Sequence, residues 1–358
     1  MSTMSTMSTM STPAHADRAP KGFTLVELMV VVIIIGILMG LLGTAFVAVR
    51  TAARITVVKS EIGQLEMALE NYKNEYSAYP PSFDYVNIVA ERGGDAVLER
   101  AGRAAVESHL RKAFPRYSPG VVRSGWADPN PEGRPENDLY EAFANDVYYS
   151  YGGAGTIDPI RFDAASALVF WLGGLPETAP AAGGQWIPAG FHADPTFPFK
   201  QGLPRKAPMF TGFEPERIEV VESHVDPLDA SLSISRYLRF YPDRVKAPYV
   251  YFKSHRVNGR WEYRAYDSTA GGLVQYAYQH ALVGETAANI CVPYRDPQNP
   301  PIWREHDKFQ IIAAGIDNEF GTAGVGTHRF SGTGQYFTDY DFDNITNFSE
   351  RTLEDEIE

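Results

Sequence analysis

Cysteine is almost missing from this chain: one residue in 358, Cys291, so no disulfide can close within it. Any stability must come from a hydrophobic core, in which Cys291 reads as a small buried apolar side chain. Positive charge is also short, with 32 Lys and Arg against 44 Asp and Glu, a net charge of -12 and an acidic tail from Leu353 to Glu358. No basic stripe is visible. Nucleic acid is therefore not an expected partner, because phosphate contacts need concentrated Lys and Arg. Catalytic signatures are missing as well. The eight histidines are scattered, no His-Glu-x-x-His or Gly-x-Ser-x-Gly occurs, and no glycine run has phosphate-loop or dinucleotide spacing. The chain does not read as an enzyme.

Long apolar runs are absent except for one. Leu28 to Val49 is 22 residues without a charge, and at 1.5 Å rise such a helix spans roughly 30 Å, the thickness of a bilayer's hydrocarbon core. Arg18 and Lys21 precede it and no acid lies between them and Glu27, which places the first twenty-two residues in the cytoplasm and the bulk outside. Arg50 and Arg54 follow the span, where long basic side chains can snorkel to the interface. Upstream lies Met-Ser-Thr repeated four times, a low-complexity tract with nothing to bury.

Glu27 is out of place. A carboxylate inside an apolar segment costs about 2 to 3 kcal/mol on insertion scales unless it finds a partner. The least costly partner is a new amine made by cutting the chain before Phe23, on the same subunit or on a neighbour in a stack.

At Lys21-Gly22-Phe23-Thr24-Leu25-Val26-Glu27-Leu28 the chain resembles the type IV pilin and type II secretion pseudopilin family. The resemblance implies cleavage between Gly22 and Phe23 by a prepilin peptidase and N-methylation of the Phe23 amine. It also implies that Glu27, fifth in the mature chain, neutralises a neighbouring subunit's N-terminus. The implied setting is the bacterial inner membrane, single-pass, with the C-terminal head in the periplasm. The implied partners are copies of itself in a filament, other pseudopilins and an inner-membrane secretion platform.

Beyond the span, Ile55, Val58, Ile62, Leu65, Leu69, Tyr72 and Tyr76 recur at spacings of three and four, the seam of an amphipathic helix. Pro80 and Pro81 stop it, so the helix is expected to end near Ser77. The stretch from Glu61 to Lys73, leading through Tyr76 to Tyr79-Pro80-Pro81, resembles the major pseudopilin of type II secretion. The expected fold is α+β and pilin-like: a long N-terminal helix, transmembrane in its first half, packed on an antiparallel β-sheet head. The expected divisions are a leader at 1–22, membrane helix at 23–49, periplasmic helix at 50–79 and head at 80–358 with a large insertion at 84–305.

With 44% hydrophobic and 13% aromatic residues, the head has ample material for a core. A helix is expected from Asp95 to Phe114, with Leu98, Val106, Leu110 and Phe114 on one face. Strands are expected at Val147 to Tyr151, Ala167 to Leu172, Ile234 to Tyr241, Pro248 to Lys253, Trp261 to Tyr266 and Phe309 to Ala314. Gly173 to Pro208 and Gly125 to Glu136 read as loops, the former ordered because Trp186, Phe191, Phe197 and Phe199 can pack on the body.

Oxygen ligands crowd near the C-terminus, at Asp317 and then at Asp339, Asp341, Asp343 and Asn344. Alternating acids followed by Glu350 partly match a calcium loop, but Asn344 stands where an EF-hand needs Gly. Asp343-Asn344-Ile345-Thr346-Asn347-Phe348 resembles the C-terminal loop of the major pseudopilin, which implies calcium held by Asp317, Asp339, Asp341, Asp343 and Asn344. The competing reading is an acidic edge strand with Tyr340 and Phe342 inward. Zinc is disfavoured by the oxygen-only donors. The function expected is a structural filament subunit of type II secretion. The alternatives are a pilus or minor pilin subunit, or a membrane-anchored binding domain or enzyme with only a pilin-like leader.

Overall fold

The computed structural model describes residues 22–83, 96–118, 139–149, 156–157, 162–177, 186–224, 234–267, 272–275, 278–280, 289–298, 302–321 and 329–357. The chain divides into two compact units, Met1–Arg50 and Thr51–Glu358. Helix α1, Leu25–Tyr76, runs 52 residues. In the first unit its apolar side chains, among them Val26, Leu28, Ile33 and Phe46, are exposed. It is long and apolar enough to cross a membrane.

In the second unit the expected seam is the heart of the core. Ile55, Val58, Ile62, Leu65, Leu69, Tyr72 and Tyr76 are each no more than 7% exposed, and burying one such side chain contributes about 1.5 to 3 kcal/mol. The helix stops at Tyr76, with Ser77 in the left-handed region at φ 61°. The carbonyls of Pro80 and Pro81, freed by that stop, accept hydrogen bonds from the Tyr251 hydroxyl at 2.9 Å and the Trp171 indole at 3.0 Å.

Helix α2 covers Ala96–Ala113, with Val106 and Leu110 fully buried, close to the expected span. Helix α3, Leu139–Tyr149, corrects the strand expected from Val147. Tyr140, Phe143, Ala144 and Val147 are buried, a spacing of three, four and seven that suits one helical face. The strand expected at Ala167 to Leu172 is also helical, ending in a π-turn at Val169–Gly173. All five of those residues are buried, and a short apolar run buried on every side carries no period that separates strand from helix.

The strands are β1 (Thr156–Ile157), β2 (Ile218–His224), β3 (Ile234–Phe240), β4 (Val250–Lys253), β5 (His255–Val257), β6 (Arg260–Glu262), β7 (Arg264–Asp267) and β8 (Gly272–Gln275). They continue as β9 (Tyr278–His280), β10 (Asn289–Cys291), β11 (Tyr294–Asp296), β12 (Ile302–Trp303), β13 (Phe309–Ala313), β14 (Arg329–Phe330) and β15 (Ile345–Thr346). Among the described residues they form several small sheets, mostly antiparallel. Only β1 with β3 and β11 with β14 pair in parallel. The strand expected from Trp261 to Tyr266 is split between two hairpins, β5–β6 and β7–β8.

Strand β13 lies between β15 and β4 and separates two cores. Phe309, Ile311 and Ala313 join the α1 core, while Ile312 packs with Val250, Phe252, Cys291 and Tyr294 in the other, as the two-residue period of a strand requires. From Gly173 to Pro208 the described part is ordered: Trp186, Phe191 and Phe199 are buried in the α1 core, and Phe197 packs against it. The loop expected at Gly125 to Glu136 lies outside the described residues, as do the leader before Gly22 and the start of the expected insertion.

Candidate functional site

At the N-terminus Thr24 and Glu27 close a reciprocal cap on α1. The Thr24 amide and hydroxyl each donate to Glu27 Oε2 at 2.9 Å, and the Glu27 amide donates to Thr24 Oγ1 at 3.2 Å. Thr-x-x-Glu is a capping box, which satisfies amides that no turn of the helix can reach. Sequence reasoning missed it, although the spacing was the available signal. Glu27 thus has polar partners inside its own chain, and an amine is not its only source of stabilisation. Phe23 is 81% exposed. A Cβ on Gly22 would meet nothing within 4 Å, so no packing in this chain demands glycine there.

Near the C-terminus the five oxygen-bearing residues fall into separate arrangements. Asp341 is fully buried, and its Oδ1 accepts from Arg329 Nη1 at 2.7 Å and from the Tyr294 hydroxyl at 2.8 Å. Its Oδ2 accepts from the Thr338 amide and hydroxyl, both at 2.7 Å. Burial pushes the Asp341 carboxyl up and Arg329 opposes it. Asn344 donates to the Tyr294 hydroxyl and to the Phe320 carbonyl.

Asp343 faces elsewhere, over the turn that follows β13. Its Oδ2 accepts from the Ile316 amide at 2.6 Å and the Asp317 amide at 3.3 Å. Gly315 makes room for it, since a Cβ there would lie 2.0 Å from the carboxylate carbon. Asp317 accepts from the Glu319 amide at 2.8 Å. Desolvation lifts its carboxyl to about 6, with the charges of Asp343 and Glu319 adding to the shift. Asp339 is exposed.

The expected single calcium site does not fit this geometry. Calcium takes six to eight oxygens, and among the described residues no group of three His, Cys, Asp or Glu side chains is placed to hold a metal. Asp341 is already occupied by a guanidinium. Asp343 Oδ1 and Asn344 Oδ1 are buried without a hydrogen-bond partner, two oxygens that fall short of such a cage. The edge-strand reading does not fit either: Asp341 points inward, Tyr340 and Phe342 are half-buried, and the nearest strand is β15.

Residues 17–43 match the family model of the prokaryotic N-terminal methylation motif. Its N-terminal segment is pseudopilin-like. The chain is similar to the type II secretion system core protein G of Pseudomonas aeruginosa, 43% identical over 63 residues. It is 41% identical, over 63 residues, to the protein of the same name from Klebsiella michiganensis. Each match covers 18% of this chain, and the chain spans 44% of the length of each relative. No solved structure matches.

Proposed function

We propose that the chain is a structural subunit of a type II secretion-type periplasmic filament, assembled through α1 and without a catalytic role. The observation that carries the reading is the methylation motif over residues 17–43, which from Leu25 onward lies on a helix whose apolar side chains are exposed. Exposed apolar surface on that scale suits a membrane or a neighbouring helix, not water. In this reading prepilin peptidase cuts between Gly22 and Phe23, and the Phe23 amine is methylated. Residues 23–49 then anchor the subunit in the inner membrane, 50–79 carry the rest of the helix, which ends at Tyr76, into the periplasm, and 80–358 form the head, including the insertion at 84–305.

Before cleavage Glu27 closes the capping box. After it, Glu27 also offers a carboxylate to the new amine of an adjacent subunit, setting registry in the stack. The remaining partners are other pseudopilins and the inner-membrane platform. No role is assigned to calcium, because its five expected donors do not converge.

One observation favours a second reading. The capping box gives Glu27 a purpose in a solitary helix, so a membrane-anchored head without a filament would use the same residue. In-cell crosslinking in the native host separates the two. The filament reading expects a ladder of crosslinked copies that depends on prepilin peptidase; a solely monomeric protein would sink it.

A further inference from the structure

The buried Arg329 occupies a position that chain oxygens surround from several directions. Its Nη1 lies 3.2 Å from the Ile290 carbonyl, 3.1 Å from the Phe320 carbonyl and 2.7 Å from Asp341 Oδ1. These oxygens come from three stretches of sequence far apart, and two carbonyls with a carboxylate are what a hard cation gathers. The side chain is 2% exposed and Asp341 is 0% exposed, so either charge alone would be costly. Gly321, at φ 143°, leaves the space: a Cβ there would stand 2.5 Å from the guanidinium.

A second cation grips the same segment from α1. Lys59 Nζ donates to the Thr346 carbonyl at 2.7 Å and the Asn347 carbonyl at 3.2 Å. These carbonyls lie on and just after β15, five and six residues beyond Asp341. The segment between is held down by backbone bonds from Leu353 to Asn344 and from Glu354 to Phe342, so the acidic tail is folded back onto it.

We propose that two side-chain cations, Arg329 and Lys59, order the C-terminal segment 341–347 as a bound divalent ion would, making its conformation independent of calcium. Arg329, on β14, fixes it to the Ile290 carbonyl within β10 and to the Phe320 carbonyl beyond β13; Lys59 fixes it to the buried half of α1. Both are positioning residues. The proposal stands whether or not the chain assembles into a filament.

The test is limited proteolysis of the full-length, detergent-solubilised protein, with mass spectrometry reading cleavage after residue 328, in calcium chloride and in EDTA. Wild type is expected to be cut at the same rate in both. Lys59→Gln should be cut about tenfold faster, the loss of one charge-assisted hydrogen-bond set, and Lys59→Arg should restore protection. Arg329→Gln should expose the segment further; should it fail to fold, the Lys59 pair and the chelator arm still decide. Faster cleavage of wild type in EDTA, or a Lys59→Gln protein as protected as wild type, would overturn the proposal.

Discussion

Arg217 and Glu61 meet in a two-pronged ion pair, Nη1 to Oε1 and Nη2 to Oε2, each at 2.6 Å. Their side chains are 15% and 16% exposed. Glu61 stands on the core-facing half of α1 and also accepts from the Tyr249 hydroxyl, while Arg217 leads into β2 and lies 4.6 Å over the Phe240 ring. Helix and sheet are thus tied by a planar contact that Lys could not reproduce.

Glu61→Gln keeps the shape and removes the charge that Arg217 faces. We expect a loss of about 1.5 to 3 kcal/mol in denaturant unfolding, because a hydrogen bond to a charged group contributes that much and the arginine stays half-buried. A midpoint unchanged from wild type would show that Glu214, 3.5 Å from the same guanidinium, replaces it fully.

His109 hydrogen-bonds the Tyr72 hydroxyl at 2.8 Å in the α1 core. Burial, helped by Lys253 and Lys112, lowers its pKa to about 3. In the unfolded chain it titrates near 6.5. Above that pH both states are neutral there; below it the unfolded state takes a proton that the folded state refuses. Stability should therefore fall as pH drops from about 6.5 towards 3, by up to about 1.4 kcal/mol per unit from this residue. His109→Phe should flatten the unfolding profile between pH 7 and 4. A variant with the wild-type slope would refute this assignment.

Asp317 carries the opposite sign. Its folded pKa, about 6, exceeds the ordinary aspartate value, so the folded state holds the proton longer and stability is lost as pH rises from the ordinary aspartate value through about 6. Asp317→Asn should raise the thermal midpoint slightly at pH 7.5, by less than about 1 kcal/mol after solvent screening. The amide oxygen can still accept from Glu319. A lowered midpoint, seen only with calcium present, would instead mark Asp317 as a metal ligand.

The two roles given to Glu27 separate by mutation. Glu27→Gln retains an acceptor for Thr24 but loses the charge; Thr24→Val loses the cap and keeps the charge. Assembly scored by in-cell crosslinking should fail in Glu27→Gln and persist in Thr24→Val. Equal loss in both would mean that the helix cap, not the charge, is what assembly needs.

What was legible in the sequence was whatever one period could carry. The α1 seam was readable because seven side chains keep a single helical face over six turns, and Pro80-Pro81 marks its end. Strand β13 was readable because its apolar run is short and flanked by turns. Val147 and Ala167 misled for the same reason: each begins an apolar run, and only Tyr140 and Phe143, placed upstream, reveal that Val147 belongs to a helix. The C-terminal oxygens looked like one metal site because spacing shows proximity in sequence, whereas Asp341 and Asp343 face different neighbours. Arg329, the cation that Asp341 binds, lies twelve residues upstream with no local signal.

The central claim is prepilin processing, and the N-terminal mass of the protein extracted from its native membranes tests it most directly. The account expects the chain to begin at an N-methylated Phe23. A chain that retains Gly22, or one cut after Ala53, would contradict it and leave a membrane-anchored or released head in place of a filament subunit.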